Sequence, residues 1–134
     1  MVDILRKEIS MAFDDAVRHI EKIVEDAGFT ILLTKAIDEV IKNKLGLDHY
    51  PRYTTILVCG PDLAKMALDA SKNVGTLFPC SFVVYEENHL EGKVIVAHVS
   101  IMKIASKLGF ASPQALAPVI AETSARVQAL WTKI

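Results

Sequence analysis

The spacing of apolar residues predicts two long helices, one near each end of the chain. In residues 11–27, apolar side chains recur at steps of three and four, which is the period of a helix with one buried face. Ser10 is expected to cap this helix and Gly28 to end it. The same period returns in residues 116–134, and the dipeptide Ser112-Pro113 marks the start of this last helix.

Between these helices the pattern predicts strands and short helices. The five predicted strands are rich in β-branched and apolar residues and cover residues 2–10, 29–35, 53–59, 80–87 and 93–99. Short helices are predicted at residues 37–45, 61–72 and 100–108. The last two strands flank a turn at 88–92, which is typical of a β-hairpin. This order predicts an α+β protein whose helices lie on one side of a sheet.

Length and composition favour one soluble domain. The chain has 134 residues, of which 51% are apolar and 23% are charged, and its mean hydropathy is +0.32. Disordered chains combine low hydrophobicity with high net charge, so this composition excludes disorder. We expect a single domain over residues 1–134, because a chain of this length buries a sizeable core without disulfides or metals.

Charge and cysteine usage restrict the partners and the location. The formal net charge is −1 and no basic run is present, so we expect no nucleic-acid partner. The uncharged stretches are too short to span a membrane, and charges interrupt the N-terminal segment where an export signal needs an apolar core. Cys59 and Cys80 match no metal-site spacing, and we expect neither a metal nor a cofactor. These features together predict a cytoplasmic protein.

Several segments carry a family resemblance: FDDAV in the first helix, KLGLD, VCGPDLAKMAL and, most specifically, VGTLFPCSFVVYEE. They resemble the family catalogued as Domain of Unknown Function 302 over almost the whole chain. The resemblance implies a fold similar to the TATA-box-binding-protein-like class, with two long helices on one side of a curved, mainly antiparallel, five-stranded sheet. It also implies a small dimeric protein with no established reaction. Thr34, Lys35 and Ala36 stand where acidic residues are expected in relatives, so no role of carboxylates there is carried over.

The predicted hairpin has a defined register. Pairing Glu87 with Lys93 across the turn sets Phe82 opposite His98. Because side chains alternate between the faces of a strand, both faces of this hairpin are then apolar. One layer of helices covers only one face, so we expect a homodimer that buries the other. The alternative is that loops and short helices cover the second face within one chain.

Two cysteines and a histidine form a candidate thiol site. Cys80 and His98 fall on the same face and near the same end of the hairpin, and Cys59 joins them if the sheet is antiparallel throughout, as the resemblance implies. A thiolate needs a nearby cation or helix N-terminus to lower its pKa, and His98 or the helix starting at Pro61 is a candidate for this role. The alternative is that Cys80 is a small buried hydrophobe and that His98 bonds to the backbone.

A second group of residues forms a candidate ligand site. Tyr50 and Arg52 belong to a polar-aromatic loop suited to close over a ligand, and Glu86 faces an otherwise apolar surface. A cavity between the last helix and the sheet is expected to be lined by Trp131, Leu130, Tyr85 and Ile95. For Glu86 the competing interpretation is a partly solvated ion pair at the edge of the sheet.

These two groups lead to two hypotheses about function. The first is a small-ligand-binding or interaction module, and the second is a thiol-dependent redox or sulfur-handling protein that uses Cys80. No phosphate-binding loop, nucleophile elbow or zinc-protease motif occurs in the sequence, so whether the protein is an enzyme stays open. A purely structural dimeric scaffold is the third possibility.

Overall fold

A five-stranded antiparallel sheet organises the computed structural model, which describes residues 4–87 and 93–134. The strands are β1 (Ile4–Ile9), β2 (Thr30–Ala36), β3 (Tyr53–Cys59), β4 (Cys80–Tyr85) and β5 (Val94–Val99). The helices are α1 (Phe13–Asp26), α2 (Ile37–Leu45), α3 (Pro61–Ala70), α4 (Ile101–Lys107) and α5 (Pro113–Trp131). A 3₁₀ helix, Lys72–Leu77, lies between α3 and β4. The turn predicted at 88–92 lies outside the described residues.

The strand order in the sheet is β1-β5-β4-β3-β2, and every neighbouring pair is antiparallel. Phe82 lies opposite His98 in the β4–β5 pair, so the predicted hairpin register is confirmed. The first strand crosses to the far edge and pairs with β5. The prediction of an α+β fold with a mainly antiparallel sheet is therefore confirmed.

The core lies between one face of the sheet and the helices. Along β3, Thr54, Ile56 and Val58 are buried on this face, whereas the residues between them are partly exposed. The matching positions of β4 and β5 also contribute, and α1 and α5 cover them with Ile20 and Leu116, both fully buried. This regular alternation identifies one helix-covered face.

Side chains of the opposite face do not belong to that core. Leu57, Val83 and Val99 are partly exposed there, and Ile95 is fully buried outside the helix-side cluster. The opposite face is thus apolar at these positions, and it also carries Arg6 and Glu8 on β1 and Lys35 on β2. We call it the outer face.

The ends of the two long helices follow from local chemistry. Ser112 Oγ accepts a hydrogen bond from the Ala115 N–H at 3.1 Å, which confirms the predicted cap of α5. The predicted cap of α1 by Ser10 is wrong, because the helical hydrogen bonds begin at the Ala12 carbonyl and Ala12 has no capping side chain. Gly28 follows the C-cap residue Ala27 and adopts a φ of 91°, a conformation that other residues rarely adopt.

Candidate functional site

A cavity of about 230 Å³ lies between one end of the sheet and the helices α3, α4 and α5. Its lining is mainly apolar and includes Phe29, Val58, Leu63, Phe78, Met102 and Val119. Among the described residues that line it, none is Asp, Glu, Lys or Arg. Binding pockets for small molecules are usually apolar, with a few polar groups that fix orientation.

The topology of the sheet brings three chain segments to this cavity. Strand β3 ends at Cys59, β4 begins at Cys80 and β5 ends at Val99, and all three positions lie at one end of the antiparallel sheet. Helices α3 and α4 start within two residues of the ends of β3 and β5. The chain therefore turns from strand to helix twice at the same place, and the cavity lies between these turns.

Small residues on α3 and its entry leave the space open. Ala64 and Ala67 line the cavity from α3, and Gly60 lines it just before the helix. A Cβ atom on Gly60 would lie 3.0 Å from Leu63 Cδ1 and 3.4 Å from Arg126 Nη1, so a larger residue would disturb the wall. A bulge in β2 between Ile31 and Leu33 leaves Leu32 as an extra residue, and Leu32 also lines the cavity.

His98 is held rigidly in the cavity wall. Its ring stacks on Phe82 with centroids 4.1 Å apart and an angle of 10° between the planes. Nδ1 lies 2.8 Å from the Ser81 carbonyl oxygen, which only accepts hydrogen bonds, so Nδ1 carries the proton. Burial lowers the pKa of His98 below its usual value, and the ring is therefore neutral at pH 7.

Two buried polar atoms of the cavity wall lack hydrogen-bond partners within the described part of the chain. They are His98 Nε2 and Thr123 Oγ1. Buried polar atoms without a partner are rare in folded proteins, because each loses its hydrogen bonds to water without replacement. Both residues line the same cavity, and both are more than nine-tenths buried.

The predicted convergence of Cys59, Cys80 and His98 is seen in the structure, where all three line this cavity. The pKa shifts of Cys80 and His98, however, do not fit the thiol hypothesis. Burial, together with a smaller contribution from the nearby Cys59, raises the pKa of the Cys80 thiol to about 11. His98 is neutral and bonded to the backbone, so it supplies no cation that would favour a thiolate. The direction of the pKa shift is opposite to the one that a reactive thiol requires.

The predicted aromatic and charged ligand residues lie elsewhere. Tyr50 is exposed, and Arg52 bonds to the Asp14 carboxylate at 2.6 Å with its guanidinium 4.1 Å from the Phe13 ring. These residues precede β3, whereas Cys59 ends it, so the strand separates them from the cavity by about 20 Å at 3.4 Å per residue. Neither residue lines the cavity.

Three further predicted ligand residues are also outside the cavity. Tyr85 stacks on Tyr53 on the outer face, with ring centroids 5.4 Å apart. The backbone N–H of Glu86 donates to the Arg52 carbonyl at 3.0 Å, which places Glu86 at the same distant end of the sheet. Trp131 is half-buried near β1, where its carbonyl accepts a hydrogen bond from Lys7 Nζ at 2.9 Å.

The predicted cavity lined by Trp131, Leu130, Tyr85 and Ile95 is therefore wrong. Leu130 belongs to the helix-side core, whereas Tyr85 and Ile95 lie on the outer face. The sheet separates the two pairs of residues.

Sequence reasoning missed Thr123. The apolar stripe of α5 contains Val119 and Val127, and Thr123 takes the position four residues from each of them. A polar residue inside a buried stripe was the signal that identifies it.

Residues 4–87 and 93–134 offer neither a metal site nor a membrane-spanning helix. In this part of the chain, no group of three or more His, Cys, Asp or Glu side chains is placed to hold a metal ion. No helix in the same part combines the length and the apolar character needed to cross a membrane.

The fold and the cavity define an antiparallel α+β protein with an apolar pocket at one end of its sheet. The family model described as "Domain of unknown function DUF302" matches residues 5–134, and the chain belongs to this family. The fold is similar to the crystal structure of an uncharacterized conserved protein DUF302 from Bacillus stearothermophilus, with a TM-score of 0.82 and 22% sequence identity. That similarity covers 97% of this chain and 96% of the other. No curated protein matches the chain.

Proposed function

We propose that the protein binds a small, largely apolar molecule in the cavity between the sheet and the helices α3, α4 and α5. The observation that carries this proposal is the pair of buried, unpartnered polar atoms, His98 Nε2 and Thr123 Oγ1, in an otherwise apolar wall. A bound molecule would supply the hydrogen bonds that the protein lacks.

The size of the cavity limits the ligand. A cavity of about 150 Å³ lined by apolar side chains holds benzene. The cavity described above measures about 230 Å³ and therefore suits an aromatic ring with a short substituent, or an aliphatic molecule of similar size.

The test has two steps. Native mass spectrometry of the freshly purified protein reports any retained molecule, and a fragment screen by ¹H–¹⁵N NMR reports binding of added molecules. We expect the shifted amides to cluster on Val58, Ala67, His98 and Thr123. Fragments that shift only amides far from the cavity, or no amides at all, would contradict the proposal.

A second candidate property, a homodimer, is supported by the outer face. Leu57, Val83 and Val99 are partly exposed there on neighbouring strands, which is an arrangement that a second copy of the chain would cover. Light scattering tests this proposal with Leu57→Glu and a matched control. We expect Leu57→Glu to give monomers and Leu108→Glu, at the exposed residue that follows α4, to leave the mass unchanged. A monomeric parent protein at micromolar concentration would refute the homodimer.

Both cysteines are free thiols. This state fits the reducing cytoplasm, where we propose that the protein acts.

A further inference from the structure

The chemistry of the ligand follows from the two unpartnered atoms, provided that the proposed function is correct. Because Nδ1 of His98 donates to the Ser81 carbonyl, Nε2 carries a lone pair and only accepts hydrogen bonds. The stacking on Phe82 and the bond to Ser81 both oppose rotation of the ring. A ligand atom that pairs with Nε2 must therefore be a donor.

Thr123 adds a second requirement. Its hydroxyl is both donor and acceptor, and Oγ1 is unpartnered in the described part of the chain. His98, Ser100 and Thr123 also line a smaller cavity of about 90 Å³. Each unpartnered atom exposes almost no surface, so side chains around it must move before a ligand reaches it.

The lack of charged side chains in the described lining disfavours anionic and cationic ligands. The described lining of the larger cavity contains no Asp, Glu, Lys or Arg, and an ion without a partner in such surroundings is strongly disfavoured. Lys103 borders the smaller cavity and is itself exposed. It is therefore solvated and does not offer a buried counter-charge.

We propose that the ligand is a neutral aromatic or aliphatic alcohol, whose hydroxyl donates to His98 Nε2 and accepts from the Thr123 hydroxyl. A hydroxyl has one donor and two acceptor lone pairs, which matches an accepting Nε2 and a donating threonine hydroxyl. The apolar body of the molecule then occupies the larger cavity, against Val58, Ala67 and Val119.

Three probes of nearly the same shape test this inference. They are p-cresol, in which the hydroxyl is present, p-xylene, in which a methyl group replaces it, and p-toluate, in which a carboxylate does. We expect p-cresol to bind about tenfold more tightly than p-xylene, a factor that corresponds to about 1.4 kcal/mol. We expect p-toluate to bind more weakly than either.

Two further measurements identify the hydrogen bonds. The ¹⁵N resonance of His98 Nε2 should move on addition of p-cresol and stay in place with p-xylene. Thr123→Val keeps the shape of the side chain and removes its hydroxyl, so the preference for p-cresol over p-xylene should fall at least about threefold. The matched control is Thr132→Val, because Thr132 is exposed at the end of α5 and its hydroxyl already donates to the Ala129 carbonyl. The control should retain the full preference.

The outcomes separate the two proposals. If p-xylene binds in the cavity as tightly as p-cresol, or p-toluate binds more tightly, the alcohol inference is overturned and ligand binding in the cavity stands. If none of the three probes binds and no other fragment shifts the cavity amides, both proposals fail. A preference for p-cresol that persists unchanged in Thr123→Val contradicts the assigned role of Thr123.

Discussion

Filling the cavity from α3 should stabilise the free protein and abolish ligand binding. Ala67 is 1% exposed and lines the cavity, so Ala67→Leu adds three carbon atoms to that space. Burial of these carbons contributes at most about 2.4 kcal/mol, at about 0.8 kcal/mol each. Imperfect fit reduces this gain, and we expect a net stabilisation of about 1 kcal/mol. For a chain of this length, that change raises Tm by about 3–5 °C.

The assay compares thermal unfolding with and without p-cresol. A ligand that binds only the folded state raises Tm, and at a hundred times its Kd it adds about 2.7 kcal/mol to the free energy of unfolding. We expect the parent protein to show this increment. Ala67→Leu should start from a higher Tm and gain almost nothing, because its leucine side chain occupies the space that the ligand needs.

The matched control is Ala125→Leu, the same substitution at an exposed position of α5. Alanine and leucine have similar helix propensities, so the control should keep both the Tm and the ligand increment of the parent. Destabilisation of Ala67→Leu by more than about 1 kcal/mol would show that the site is fully packed. An unchanged ligand increment in Ala67→Leu would show that the ligand binds elsewhere.

Three further predictions test the core and the site. Leu130→Ala should lower the free energy of unfolding by about 3–5 kcal/mol in urea titrations, because Leu130 is 1% exposed, whereas Leu108→Ala, at 66% exposed, should change it little. Because burial lowers the pKa of His98 in the folded protein, the unfolded state binds more protons than the folded state when the pH falls below the usual histidine pKa of about 6.5. The contribution of His98 to the free energy of unfolding should be complete above that pH and be lost as the pH falls towards the pKa of His98 in the folded protein. Urea titrations should show this pH dependence in the parent protein and not in His98→Phe. At pH 8, Cys80 should react with iodoacetamide more slowly than free cysteine, because the pKa of its thiol is raised to about 11. Alkylation faster than that of free cysteine would contradict this prediction and support the thiol hypothesis.

Local patterns were sufficient to predict most of the fold. The bounds of β3 and α2 agree with the sequence prediction, because a continuous apolar run and a glycine with positive φ mark their ends. The hairpin register also follows from sequence, since counting back from the turn pairs Phe82 with His98. Antiparallel pairing, which the family resemblance implied, then brings Cys59 to the same end of the sheet as Cys80.

The location of the site was harder to predict, because alternation defines two faces without saying which one the helices cover. Tyr85 and Ile95 do share a face, as the register requires, but α5 covers the other one. The position of Thr123 was visible in the stripe of α5, yet its significance depends on a missing hydrogen bond, which only the three-dimensional arrangement reveals. The pKa of Cys80 likewise depends on burial by residues distant in sequence.

The cavity and the outer face lie on opposite sides of the sheet. Ligand binding in the cavity and dimerisation through the outer face therefore depend on different residues. The wall residues Val58 and His98 point towards the helices, whereas Leu57 and Val99, their neighbours in sequence, point away from them. A dimer that covers the outer face therefore leaves the helix-side cavity free to bind its ligand. Leu57→Glu should then abolish dimers and retain the preference for p-cresol over p-xylene. Loss of both properties together would mean that the sheet itself depends on the dimer, because a monomeric sheet would no longer hold His98 against Phe82.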